Sequence, residues 1–283
     1  MAESRVAIGT LNLRSSRSLG SIARSSDPLR LPAVNRRVLL LVHGYAARPH
    51  EALSEYGRFI ENLRIQTGLG RLPSDLTVLR VLWPGSDNHW FVNKASFSSR
   101  VESAEHAAQR LCEVMMNSEA EEIIVVGHSL GCRLVLEFLA SSGAYQPGPI
   151  VSEALLMAAA VPEGDCVDGK LFGRDVMQTP NQVVLHSRRD LVLWGAFRPG
   201  MRLAREGWSP AVGRTGGPSE RWDLTRDVRL GHGEYWGARV TADQLATQIG
   251  ISLNRTVGGR LPAERGIDVS RPVERKLNPP MAN

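Results

Sequence analysis

The sequence predicts an α/β fold, a mostly parallel central sheet with helices on both faces. Two short runs, Val38 to Val42 and Ile123 to Val126, are built of branched aliphatic residues without polar alternation. Strands buried on both faces read this way; strands with one wet face alternate. Further apolar runs of strand length alternate along the chain with segments of helical spacing, the signature of strand–helix–strand units. With 283 residues and 42% hydrophobic content the chain can build one large core. No apolar run approaches the roughly 18 residues of a membrane-crossing helix.

Residues 1–36 are polar with scattered apolar positions and are expected to add an edge strand or to stay disordered. Val38 to Val42 is a buried strand that ends at His43-Gly44-Tyr45. Glu51 to Gln66 is a helix, because Leu53, Tyr56, Ile60 and Leu63 recur at steps of three and four. Leu76 to Trp83 is a strand stopped by Pro84-Gly85-Ser86. Ser99-Arg100-Val101-Glu102 has the form of a capping box and predicts a helix to about Asn117. A strand then runs into residues 127–131, and a helix follows from Cys132 to Ala140. Ala154 to Ala160 and Asn181 to Ser187 are the next strands, and a short strand is expected at Val228 to Leu230. Thr241-Ala242-Asp243-Gln244 is a second capping box, opening a last helix to about Leu253.

The net charge of +5 belongs to the chain ends. Residues 1–36 hold six arginines against two acids, and residues 254–283 hold six cations against three acids, which leaves the middle at −2. Basic ends of this kind can approach nucleic acid or anionic lipid. No aromatic residues interleave with these arginines, so no stacking platform for single strands is present. Three lysines accompany 31 arginines, a compositional bias that makes solvated flexible ends the simpler reading. Nucleic-acid binding is therefore not expected, and contact with a membrane surface is left open but not required. Cys112, Cys132 and Cys166 form no metal or disulfide spacing and read as small buried hydrophobes in a reducing, cytoplasmic setting. No cofactor and no metal is expected.

The most informative stretch is Glu121 to Arg133, EEIIVVGHSLGCR. A buried strand turns sharply into a helix with Ser129 at the apex and Gly127 and Gly131 two residues to either side. This is the nucleophile-elbow arrangement, in which a strained serine is presented at the top of a sheet and a Cβ at either glycine would collide with its neighbours.

A serine hydroxyl needs a base. Of the seven histidines, His232 is the first choice, because it sits late in the chain on a glycine-flanked turn, Gly231-His232-Gly233. His89 and His186 are the alternatives; His43 and His128 beside glycines at strand tops read as packing residues, His50 lies at a helix start, and His106 lies in a polar helix. The imidazole in turn needs a carboxylate to fix its tautomer. Asp190, just past the strand ending near Ser187, is the first choice and Asp165 the second. Two backbone N–H donors should face the developing oxyanion: Leu130 at the start of its helix, and Tyr45, with Ala46 as alternative, in the loop after the first buried strand.

The pieces VLLLVHGY (38–45), VLRVLWPGS (78–86), IIVVGHSLG (123–131), VVLHSRRDLVL (183–193) and GHGEYW (231–236) together resemble an α/β hydrolase of the esterase/lipase type. More narrowly, they resemble a group of bacterial α/β hydrolases of unknown function that pair a VHGY-like strand end with a tryptophan-proline-serine motif and a serine elbow. The order Ser, Asp, His is the order of that fold. The resemblance covers roughly residues 37–253 and implies Ser129, Asp190 and His232 as catalytic triad with Tyr45 and Leu130 as oxyanion hole.

The chain is thus expected to divide into a basic segment 1–36, a hydrolase domain 37–253 with a cap or lid at about 191–225, and a flexible tail 254–283. The lid reading rests on Trp194, Phe197, Met201, Trp208 and Trp222, which equally fit a structural insertion packed on the core. Trp83 to Phe97, with Trp90 and Phe91, is a second candidate wall. The expected function is a metal-free serine hydrolase acting on a small-molecule or lipid acyl ester, a carboxylesterase or small lipase. A thioesterase, peptidase or acyltransferase with the same triad, and a non-catalytic binding module on the same fold, are the competing readings.

Overall fold

The structure is a computed structural model and describes residues 7–15, 22–23, 31–68, 70–85, 95–143, 148–173, 181–195, 197, 209–218 and 220–251. Seven parallel strands form one sheet: β1 Ala7–Asn12, β2 Arg37–Val42, β3 Leu76–Leu82, β4 Glu122–His128, β5 Ile150–Met157, β6 Asn181–His186 and β7 Leu224–Asp227. Their order is β1-β3-β2-β4-β5-β6-β7. The expected α/β class with a parallel sheet is what the chain adopts. β2 is buried along its length except at Arg37, and Ile123 to His128 of β4 are likewise buried, so these two form the middle of the core.

The main helices are α1 Pro49–Gln66, α2 Ala95–Met116 and α3 Gly131–Ser142. Two short ones follow, α4 Leu191–Gly195 and α5 Val212–Thr215, and then α6 Arg239–Gln248. The chain leaves β2 through α1 toward β3 in one direction and returns through α2 and α3 toward β4 and β5 in the other. Parallel crossovers are right-handed, so a reversal of direction puts α1 on one face and α2 and α3 on the other. Contacts agree: α1 packs with α6, and α2 packs with α3. The reversal point lies between the carboxyl ends of β2 and β4, where open parallel sheets form their ligand crevice.

α1 starts where the sequence stops resisting it. Pro49 takes the first helical position, where a missing N–H costs nothing, and the Glu51 carboxylate accepts the Arg48 N–H at 2.8 Å. The helix buries Tyr56, Phe59, Ile60 and Leu63. Trp236, in a short 3₁₀ turn at Tyr235–Gly237, stands edge-on to Tyr56 and Phe59 at 5.0 and 5.4 Å. Burying one such aromatic stabilises by about 2–3 kcal/mol, and this cluster fixes the chain immediately after His232.

Four element boundaries differ from expectation. α2 begins at Ala95, four residues before the Ser99 box. α6 begins at Arg239, before Thr241, whose hydroxyl instead donates back to the carbonyls of Tyr235 and Ala238 at 2.7 and 2.6 Å; it ends at Gln248, short of the expected Leu253, and Gly250 beyond it takes φ 73°. β5 runs over 150–157 instead of 154–160, because Ala158 takes φ 47° and turns the chain away from the sheet. The last strand is β7 at 224–227 and not Val228 to Leu230, because Arg229 takes φ 57° and ends the extended run.

Of residues 191–225, Phe197 and Trp222 are buried in the core and Trp194 is 64% exposed. Met201 and Trp208 lie outside the described residues, as do Trp90 and Phe91, the tail 254–283 and parts of 1–36. No helix among the described residues is long and apolar enough to cross a membrane.

Candidate active site

Ser129 follows β4 directly and takes φ 53°, a left-handed conformation that non-glycine residues adopt only when the surroundings impose it. The surroundings are visible. The Ser129 N–H donates to Met157 O at 2.9 Å, and its carbonyl accepts from Cys132 and Ala160 at 3.0 and 3.1 Å. A Cβ at Gly127 would stand 2.9 Å from Val135 Cγ2 and 3.0 Å from Cys132 Cα; one at Gly131 would stand 2.8 Å from Val42 O and overlap the His43 carbonyl. Strand, apex and helix pack together only because both positions lack a side chain.

Three side chains the sequence pointed to separately come together here. His232 Nε2 lies 2.9 Å from Ser129 Oγ, and His232 Nδ1 lies 2.7 Å from Asp190 Oδ2. Asp190 is fully buried, and its other oxygen accepts the Leu193 N–H at 2.9 Å. A carboxylate only accepts, so Nδ1 carries the proton and Nε2 is the acceptor for the serine hydroxyl. Asp165 is elsewhere: its carboxylate faces Arg133 at 3.9 Å. Of the rival histidines, His186 lies at the end of β6 with its ring beside Gly216, His106 is exposed on α2, and His89 lies outside the described residues.

The loop after β2 lies against the serine. A Cβ at Gly44 would stand 2.7 Å from Ser129 Cβ, so the residue before Tyr45 packs directly on the serine side chain. The Leu130 amide opens α3, where the helix dipole is positive. Ala46 is not a spare donor, because its N–H already binds Gly85 O at 2.8 Å.

Two supports of the site were not visible in the sequence. The Trp83 indole N–H donates to His43 O at 2.8 Å, and the Trp83 backbone N–H donates to His43 Nε2 at 3.3 Å. The His43 Nδ1–H donates to Gly44 O at 2.9 Å, and the ring stacks on Trp83 at 5.6 Å. His43 thus uses both nitrogens as a neutral ring, and burial pushes its pKa down to about 4. The tryptophan-proline piece therefore braces the loop that carries Tyr45. The only signal in the sequence was its place at a strand end. His128 is the second: its Nε2 lies 2.7 Å from His232 O.

A cleft of about 550 Å³ opens beside the site. Gly44, Tyr45, His128 and His232 form one wall, and the α1 stripe Glu51, Ser54, Glu55 and Arg58 forms the other. Burial raises the Glu55 carboxyl above its usual range, with Arg58 opposing the shift. The cysteines are all free and buried, and burial raises their thiols, Cys112 to about 11 and Cys166 to about 12. None is poised as a thiolate. Among the described residues no group of three His, Cys, Asp or Glu is placed to hold a metal ion.

Residues 29–194 match a protein family described as alpha/beta hydrolase of unknown function (DUF900). The chain belongs to this family. The parallel sheet, the serine elbow at its centre and the helices on both faces make it an α/β hydrolase in fold as well. Comparison with functionally curated proteins found no match. Among solved structures, the chain is similar to an uncharacterised protein of Bacillus cereus ATCC 10987, with 14% identity and a TM-score of 0.46 over 80% of the chain and 63% of that protein. It thus spans less than two thirds of that protein's length. Others are polyneuridine aldehyde esterase (11% identity, TM-score 0.42, 76% and 100% coverage) and a lipase-esterase related protein of Clostridium acetobutylicum ATCC 824 (11% identity, TM-score 0.39, 76% and 94% coverage).

Proposed function

We propose that this chain is a serine hydrolase that cleaves a carboxylic ester through an acyl-enzyme on Ser129. The observation that carries the reading is the continuous hydrogen-bond line from Asp190 Oδ2 through the His232 ring to Ser129 Oγ, with both links under 3 Å.

His232 Nε2 takes the hydroxyl proton as Ser129 Oγ bonds to the ester carbonyl carbon. The carbonyl oxygen becomes an oxyanion, held by the Tyr45 and Leu130 N–H groups. Asp190 keeps the ring in the required tautomer and stabilises the imidazolium without taking its proton. The imidazolium then gives its proton to the leaving alkoxide, the C–O bond breaks, and the acyl group stays on Ser129. Water repeats the sequence in reverse: His232 takes a water proton, hydroxide adds to the acyl carbon, and the proton returns to Ser129 Oγ as the acid leaves. Ester and water become acid and alcohol, and the protein is unchanged.

The test is turnover of p-nitrophenyl esters from acetyl to palmitoyl by wild type and Ser129→Ala. Hydrolysis by the wild type that disappears in the variant supports the reading. Equal turnover by both, or none by a folded wild type, overturns it. Preference for long chains would favour a lipid acyl substrate, and for short chains a small-molecule ester.

A further inference from the structure

His128 is the last residue of β4, immediately before Ser129, and only 8% of it is exposed. Its Nε2 lies 2.7 Å from the backbone carbonyl of His232, 104 residues away. A carbonyl only accepts, so Nε2 carries the proton and the ring is a donor in its neutral form. The ring also lies 5.1 Å from the His232 ring, tilted by 49°.

The turn that carries His232 holds its own shape. Glu234 N–H donates to Gly231 O at 3.1 Å, and Gly231 N–H donates to the Glu234 carboxylate at 2.6 Å. Neither bond fixes the turn against the nucleophile. The bond from His128 does, because it joins the backbone of the base to the residue next to Ser129.

We propose that His128 is a positioning residue: its Nε2–H holds the His232 carbonyl so that the imidazole stands between Asp190 and Ser129. The inference rests on the serine-hydrolase reading. The groups facing the ring suit a permanent donor. Tyr235 and Trp236 pack at 5.9 and 6.1 Å; the His232 ring opposes a positive charge, the His232 carbonyl and Asp190 favour one, and His43 opposes it. Burial, the largest influence, holds the ring neutral with a pKa of about 3.

Three variants test it: His128→Gln, whose amide nitrogen reaches nearly where Nε2 stood; His128→Asn, polar but too short; and His128→Leu. Each is checked by thermal melting, then by kcat against pH for p-nitrophenyl acetate and by its rate of fluorophosphonate labelling. The expected result is a roughly 10- to 100-fold loss in kcat and labelling rate for Asn and Leu, the scale of a misplaced catalytic group. Gln should stay close to wild type on both readouts, a rescue that a merely structural role would not produce. All three within about threefold of wild type, or Gln as slow as Leu, overturns the proposal. Should Leu not fold, the Gln and Asn pair decides by the same criteria. A wild type that takes no label sinks the hydrolase reading instead. In that case the far-downfield proton resonance of His232 Nδ1–H still reads the anchor: its loss in Asn and survival in Gln supports it, and its survival in all variants overturns it.

Discussion

Gly131 and His43 stand so close that any side chain on the glycine would overlap the His43 carbonyl oxygen. The contact joins the helix behind Ser129 to the strand that leads into the Tyr45 loop. The two halves of the site are thus set by one backbone approach. Gly131→Ala must push them apart. We expect a loss of about 2–4 kcal/mol in stability, the range of a core clash, with loss of fluorophosphonate labelling in whatever protein remains folded. Urea titration reads the first and gel labelling the second; a stable, fully labelled variant would contradict the packing argument.

Asp190→Asn and Asp165→Asn should separate the two candidate acids. Asparagine at 190 keeps the volume but offers Nδ1 an amide, so His232 loses its preferred tautomer, and kcat should fall by about 10³- to 10⁴-fold. Asparagine at 165 removes a partner of the buried Arg133 and leaves His232 untouched. It should lower stability and leave kcat within about threefold of wild type. The reverse pattern would move the acid to Asp165.

Stability should fall with acid before the carboxylates titrate. Burial lowers His43 to about 4 and His128 to about 3, from a usual 6.5. In this window the unfolded chain binds protons that the folded chain refuses, so stability is full above pH 6.5 and declines below it. Down to pH 5 each ring should cost about 2 kcal/mol. Chemical denaturation of wild type, His43→Gln and His128→Gln between pH 7.5 and 5 checks this. Each variant should show a shallower decline, and slopes equal to wild type would contradict it.

Trp83→Phe removes the indole N–H that holds His43 O at 2.8 Å and keeps most of the ring volume. A lost buried hydrogen bond costs about 1–2 kcal/mol. Because the bond braces the Tyr45 loop, kcat should fall by about tenfold with little change in KM. Steady-state kinetics on one ester decides it; an unchanged kcat would mean that the loop holds its place without the brace.

The sequence made Ser129 legible because an elbow is a local device: strand, apex and helix lie within a dozen residues, and steric need for two glycines is written beside the serine. Asp190 stood out by its place just past a strand and His232 by its late, glycine-flanked turn, and the structure brings both beside Ser129. What stayed hidden depends on residues far apart in the chain. Nothing near Trp83 says that its indole reaches His43, and nothing near His128 says that it meets a carbonyl 104 residues on. The same holds for the boundaries. The backbone turns at Ala158 and Arg229 end β5 and block the expected last strand, although neither residue advertises a left-handed conformation. Thr241 has a capping sequence, but its hydroxyl finds Tyr235 O, and α6 starts earlier.

The central claim is that Ser129 is the nucleophile. Its most direct test is to treat wild type and Ser129→Ala with a fluorophosphonate and map the adduct by peptide mass spectrometry. A single phosphonyl adduct on Ser129 in wild type, absent from the folded variant, is the predicted result. An adduct on another residue, or one that persists in Ser129→Ala, would contradict it.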